Sequence, residues 1–289
     1  MRTKNLGWIA VAAAAAMLSP GARADFSFSN INLSDYNTLI KEFSADSLYS
    51  SVTPASSLGG LGGFELGVVA LTMNAPDTQA LIQRDSPSTN FNGKLYNGGG
   101  LARVGLPFGL TGELMYVPKI KAGNAKIGRW GIAAQWTATD SVLEDLPFNL
   151  AAKAYYTKTS LAYTQNISNS STGGISVPAN LSLDDKIWGV EALASYKIAV
   201  IEPYAGVGYV KAKGTLTVDA AGNATIFDPS LAALLGITSP SFVKSLDSSP
   251  SSMVLKAGLD LRLAFFTLGA EYANAFNKNA LMGRVSFRF

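Results

Sequence analysis

The sequence of 289 residues contains no cysteine and no histidine. Without cysteine there is no disulfide framework and no lipid-modified N-terminal thiol. Without histidine the chain lacks the side chain whose ordinary pKa lies near neutrality, so a serine has no customary base to activate it. Hydrolases that depend on a catalytic histidine are excluded with it. Zinc sites built from His and Cys are excluded for the same reason. No acidic loop has EF-hand spacing. A Ser–Lys pair is the one nucleophilic arrangement left open, and no motif points to it. The expectation is a protein that is not an enzyme, with no cofactor and no metal.

Charge is also scarce, at 15% of residues against about 25% in ordinary soluble domains. Hydrophobic residues make up 48%. Yet past the N-terminus no stretch offers the roughly 20 consecutive apolar residues of a membrane helix. Lipid-facing strands reconcile these facts, because they alternate and escape hydropathy plots. The N-terminus itself reads as a secretory signal. Arg2 and Lys4 precede an Ala-rich apolar core over 6–18, and Ala22-Arg23-Ala24 forms the cleavage site, so the mature chain is expected to begin at Asp25. Loss of Arg2, Lys4 and Arg23 leaves basic and acidic residues in balance. That gives no basic stripe for nucleic acid.

Segments 64–72, 99–106, 110–117, 126–137, 148–159, 186–197, 203–213, 253–263, 267–275 and 280–289 alternate with a period of two. Their lengths suit tilted membrane strands of roughly 9–11 residues. The pattern predicts an all-β, antiparallel, up-and-down transmembrane barrel of about 10 strands, with 8–12 inside its tolerance. The expected division is a signal peptide over 1–24, an N-terminal segment over 25–63 and the barrel over 64–289. Links at 106–109, 144–149, 198–202 and 264–266 are short. The intervening ones at 73–98, 118–125, 160–185 and 214–252 are longer, and 276–279 is short. An even strand count puts both barrel ends on the short-turn side, which faces the periplasm in outer-membrane barrels.

Alternation also sorts residues by side. Trp130, Trp136, Trp188, Tyr196 and Tyr272 fall on the apolar face and are expected to form aromatic girdles. The opposite face collects Glu65, Arg103, Glu113, Arg129, Lys153, Glu191, Lys211, Lys256, Asp260, Arg262, Glu271, Arg284 and Arg288 as lumen-lining candidates. A barrel near eight strands is just filled by its side chains. These charges therefore read either as a paired core that sets register or as the lining of a narrow polar pore.

Ahead of the first strand, Tyr36, Leu39, Ile40 and Phe43 follow helical spacing after Ser34, a candidate N-cap. The run "SSLGGLGG" then gives a hinge, so this segment is a periplasmic tail or a plug. The glycines precede a strand and open no helix, so they do not form a dinucleotide loop. In the longest loop, "DPSLAALLGI" over 228–237 has the Asp, Pro and Gly of a short helix. Its leucines, with Ile237, Phe242, Val243 and Leu246, either pack on the barrel mouth or form a hydrophobic lid.

The chain ends on "GRVSFRF", with Val285, Phe287 and Phe289 sharing one face to the last residue. An open strand edge is untenable in lipid, so this strand must pair with the first. The whole resembles a Gram-negative outer-membrane barrel, and the terminal Phe289 resembles the signal read by the barrel-assembly machinery. Three pieces, "TPASSLGGLGGFELGV", "VGLPFGLTGELMYVPKIK" and "GRWGI", resemble an uncharacterised family of envelope barrels. That resemblance implies fold and location and brings no activity with it. The N-terminal segment also resembles that of plugged fatty-acid channels, which have more strands. The implied partners are outer-membrane lipid and lipopolysaccharide, the assembly machinery and a small solute. The functional expectation is passive transport through a narrow pore for small or hydrophobic solutes. The alternative is a closed structural or surface-binding barrel acting through its outer loops.

Overall fold

The computed structural model describes residues 33–60, 62–85, 92–122, 125–143, 145–168, 176–221 and 241–289. Helix α1 (Leu33–Asp46) leads through an extended stretch into β1 (Phe64–Asn74). Helix α2 (Pro76–Asp85) follows, then β2 (Lys94–Gly105), β3 (Leu110–Ala122), β4 (Ala125–Thr137) and β5 (Asn149–Ser168). The chain continues as β6 (Ser176–Ser195), β7 (Ile201–Ala221), β8 (Ser241–Ser248), β9 (Ser251–Leu263), β10 (Phe266–Ala275) and β11 (Lys278–Arg288).

Every pairing is antiparallel; β7 pairs with both β8 and β9, the other pairs join sequence neighbours, and β1 closes on β11 with Glu65 opposite Arg288 and Met73 opposite Ala280. Strands β8 and β9 share one register against β7, with Gly214 opposite Ser248 and Lys211 opposite Ser251. They are two pieces of one crossing, interrupted at Pro250, which has no N–H to give the ladder. Its carbonyl still accepts from the Ala212 amide at 2.9 Å. The barrel is therefore ten-stranded. The last rung is made by the final residue: the Phe64 and Phe289 amides donate to each other's carbonyls at 3.0 and 2.8 Å, and their rings stack at 4.8 Å.

The wall is inverted relative to a soluble protein. Leu66, Val104, Leu114, Ile132, Val190, Leu255, Leu259 and Val285 are exposed on its outside, while Glu65, Arg103, Glu113, Arg129, Lys153, Glu191, Asp260, Glu271 and Arg284 are buried inside. That is the surface of a barrel in contact with lipid. Trp130, Trp188 and Tyr272 stand on the outside toward the long-loop mouth, and Trp136 and Tyr196 toward the short-turn mouth.

Strands β5, β6 and β7 run to 20 or 21 residues, far past the alternating segments. Above the lipid an outward residue no longer has to be apolar, so the sequence signal fades while the ladder continues. The spans 160–168, 176–185 and 214–221, expected as loop, are strand. Within the link over 73–98, α2 begins at Pro76, a residue preorganised for a first helical position. The expected helix over 228–237 lies outside the described residues.

Candidate functional site

The lumen is filled by the chain's own N-terminal segment. Helix α1 lies at the long-loop mouth. Its Tyr36 and Ile40 pack with Leu39 against Leu183, Leu216 and Leu246, and the Tyr36 hydroxyl donates to the Leu246 carbonyl at 2.8 Å. The helix begins one residue before Ser34, which sits exposed in the first turn and is no N-cap. From Ser47 the chain descends through the barrel. Ser57 reaches the carboxylate of Asp140, in the 3-10 turn at the other mouth, and the Gly63 carbonyl accepts from Gly105 as β1 begins. The segment expected as tail or plug therefore traverses the lumen.

An extended chain in a lumen must satisfy its backbone groups without a ladder. The wall supplies the partners. The Arg129 guanidinium donates to the carbonyls of Asp46, Ser47 and Leu48 at 3.3, 2.6 and 2.5 Å. A cation thus closes the C-terminal end of α1, where the helix dipole favours positive charge. Gln135 Nε2 donates to Pro54 and Ala55, the Thr137 hydroxyl to Ala55 and Arg288 to Ser57. In return the Ala55 amide donates to Ser195 Oγ.

Packing adds a second fit. Tyr49 is fully buried, stacks on Tyr155 at 5.6 Å and donates to Glu113 at 3.2 Å. It lies over Gly131, where an added Cβ would stand 2.9 Å from its ring. Val52 has φ of 51°, a strained conformation for a β-branched residue. It packs over Gly269, where an added Cβ would meet it at 2.9 Å.

At the mouth, buried Glu42 accepts from the Asp77 and Thr78 amides at 3.0 and 2.8 Å, at the N-terminus of α2. It also accepts from Lys278 Nζ at 2.8 Å, which bonds Asp77 as well. This cluster ties α1 to α2 and to the start of β11. Asp46 accepts from Asn97 at 3.0 Å. Burial pushes its pKa up to about 6, against the pull of Arg129 and Asn97.

The sequence-derived inward residues meet around this segment. Glu113 lies between Arg103 and Lys153 at 3.0 and 3.1 Å. Glu65 lies between Arg103 and Arg284, both at 2.7 Å. Asp260 lies between Arg284 and Arg262, and Arg262 pairs with Glu202 at 2.7 Å. Lys256 bridges Glu191 and Glu271 at 2.9 and 3.8 Å. The segment joins this ring: Lys153 donates to Ser51 and Thr53, Ser50 to Glu271, and Arg262 to Ser56. Arg129 and Arg288 serve the segment's backbone. Among the described residues these charges bond one another or the polar thread that they surround.

One assignment is corrected. Lys211 is exposed on the outer wall opposite Trp188. Charge suggested the lumen, but β7 has by then risen past the apolar band. Buried Glu202, Asp185 and Glu42 were not singled out in the sequence. Glu202 falls in the short link over 198–202, Asp185 at the end of the link over 160–185, and Glu42 outside the helical spacing of Tyr36, Leu39, Ile40 and Phe43.

Solved structures of similar architecture include Ail of Yersinia pestis, at 11% identity and TM-score 0.33 over 78% of this chain and 99% of that one. The translocator domain of NalP from Neisseria meningitidis matches at 12% identity and TM-score 0.42, over 80% and 89%. A Pseudomonas aeruginosa FadL homologue matches at 12% and 0.38, over 74% and 60%. No curated protein shows significant sequence similarity. Residues 9–289 match the model of a family of unknown function, DUF6588, and the chain belongs to that family.

Proposed function

We propose that the protein is an outer-membrane barrel sealed by its own N-terminal segment, a non-conducting scaffold that works through its long-loop mouth. One observation carries this reading: the stretch from Ser47 to Ser57 occupies the lumen in bonds with the charges that would line a pore. Passive transport of small or hydrophobic solutes would require that stretch to leave, breaking bonds to buried charged groups worth about 1.5–3 kcal/mol each. The outside-in polarity of the wall supports a membrane setting, and the short-turn mouth then faces the periplasm. Export through cleavage after Ala24 completes the reading.

The test is conductance of the purified mature protein in planar bilayers. The full chain is expected to give no opening events, and a variant lacking residues 33–58 is expected to conduct or to lose its fold. Sustained openings by the intact chain would overturn the proposal in favour of a narrow pore.

A further inference from the structure

The outer wall above the girdle gathers lysines on three adjacent strands. Lys158 on β5, Lys186 on β6 and Lys213 on β7 stand directly opposite one another in register. Lys211 stands opposite Trp188. On each of these strands a lysine follows an aromatic residue on the same face: Tyr156 then Lys158, Trp188 then Lys186, Tyr209 then Lys211. Two residues along a strand is roughly 7 Å. The rings mark a level, since Trp130 meets Tyr156 at 5.5 Å and Trp188 meets Tyr209 at 6.0 Å, both along diagonals of the ladder. A lysine row just past an aromatic girdle sits at the lipid headgroups. Lys121 and Lys126 pair across β3 and β4 farther toward the mouth, with Lys126 opposite Ala162 of β5.

Like charges directly opposite one another in a sheet are destabilising. Lys158, Lys186 and Lys211 make no ion pair among the described residues. Nearby acids do not neutralise them. Asp247 pairs with Lys213 at 3.4 Å across two largely exposed side chains, and Asp184 accepts from Ser160 Oγ. At the same end of the barrel the other wall ends in Asn74, Ser251, Asn274 and Asn279, with Lys94 beyond Tyr96 as an isolated pair on β2 and Lys278 held by Glu42 and Asp77. Lysines serving only solubility would have no reason to stand in register on three adjacent strands. Neighbouring strands lie about 4.8 Å apart, so the row from Lys158 to Lys213 spans about 10 Å, which suits anionic headgroups held side by side.

We propose that the outer face of β5–β7 above the girdle is a binding surface for the phosphate groups of a lipid in the surrounding leaflet, namely lipopolysaccharide. The inference rests on the outer-membrane reading above. The test uses the full mature chain, folded in detergent and titrated with lipopolysaccharide. The triple variant Lys158→Gln, Lys186→Gln, Lys211→Gln is expected to bind at least about tenfold more weakly, given roughly 1 kcal/mol per basic residue near an anionic surface. The matching triple Lys→Arg variant should retain affinity, Lys94→Gln should be neutral, and dephosphorylated lipopolysaccharide should bind weakly to the parent protein. Equal affinity of the parent and the Lys→Gln triple, or equal binding of the dephosphorylated lipid, would overturn the proposal. Heat-dependent gel mobility in every sample reports the folded barrel. Failure of the parent chain to insert into bilayers would instead count against the membrane reading.

Discussion

Glu65 shows what a single residue does in this lumen. It is almost wholly buried, holds Arg103 and Arg284, and accepts from Ser286 Oγ at 2.5 Å. Glu65→Gln keeps the shape and leaves two buried guanidiniums short of a counter-charge. Removing one partner of a buried pair costs about 3–5 kcal/mol, so urea unfolding in detergent should show a loss of that order. A loss under about 1 kcal/mol would mean that water reaches the network. Asp46 gives the opposite sign. Its folded pKa of about 6 lies above the ordinary carboxylate value, so ionisation disfavours the docked segment. Both states are protonated at low pH, and the penalty grows as pH rises through the ordinary value toward 6 and then levels off. Asp46→Asn, which can still accept from Asn97, should therefore match the parent near pH 3.5 and be the more stable protein at pH 7.5. A stability difference that does not change with pH would contradict this. Which face a residue occupies was legible from parity alone, as for Glu65 and Arg284. Its partner was not, because Glu113 and Lys153 are 40 positions apart and meet only across the intervening strand β4.

At the scale of elements, the threaded segment depends on small residues in the wall. Gly131→Val would place atoms in the volume of the Tyr49 ring and against Thr157 Oγ1, 3.1 Å from the added Cβ. Overpacking of this kind costs about 1–3 kcal/mol. The segment should lose protection against proteases in the folded protein, and Tyr49→Ala in the same chain should restore it. Unchanged protection in Gly131→Val would show that Tyr49 is not held as described. The helical spacing of Tyr36, Leu39 and Ile40 announced α1, and the ten alternating segments announced the crossings. The destination of residues 47–58 was not announced. "SLYSSVTPASS" has no strand or helix period, because its backbone partners are side chains of the wall. The tops of β5–β7 were missed for a related reason: hydropathy reports lipid contact, and those ladders continue beyond it.

For the whole molecule, Phe289 makes the final rung of the closing seam. Phe289 exchanges two backbone hydrogen bonds with Phe64 and stacks on its ring, next to Phe287, which packs edge-on against Phe266. In lipid, each unsatisfied backbone group costs several kcal/mol. The rung lies at the rim, however, and β1 and β11 still pair from Glu65–Arg288 to Met73–Ala280 without it. Deleting Phe289 should therefore leave a barrel that refolds from urea into detergent, with somewhat reduced stability. In cells the outcome is expected to be harsher. If the terminal aromatic is read during assembly, as its resemblance to the barrel signal implies, the truncated chain should be lost from the outer-membrane fraction while its refolding in vitro persists. Heat-dependent mobility of membrane fractions at native expression separates the two effects. Equal amounts of folded protein with and without Phe289 in cells would leave the residue a purely structural role at the seam. Failure to refold in vitro would make closure itself, and not recognition, the role of Phe289.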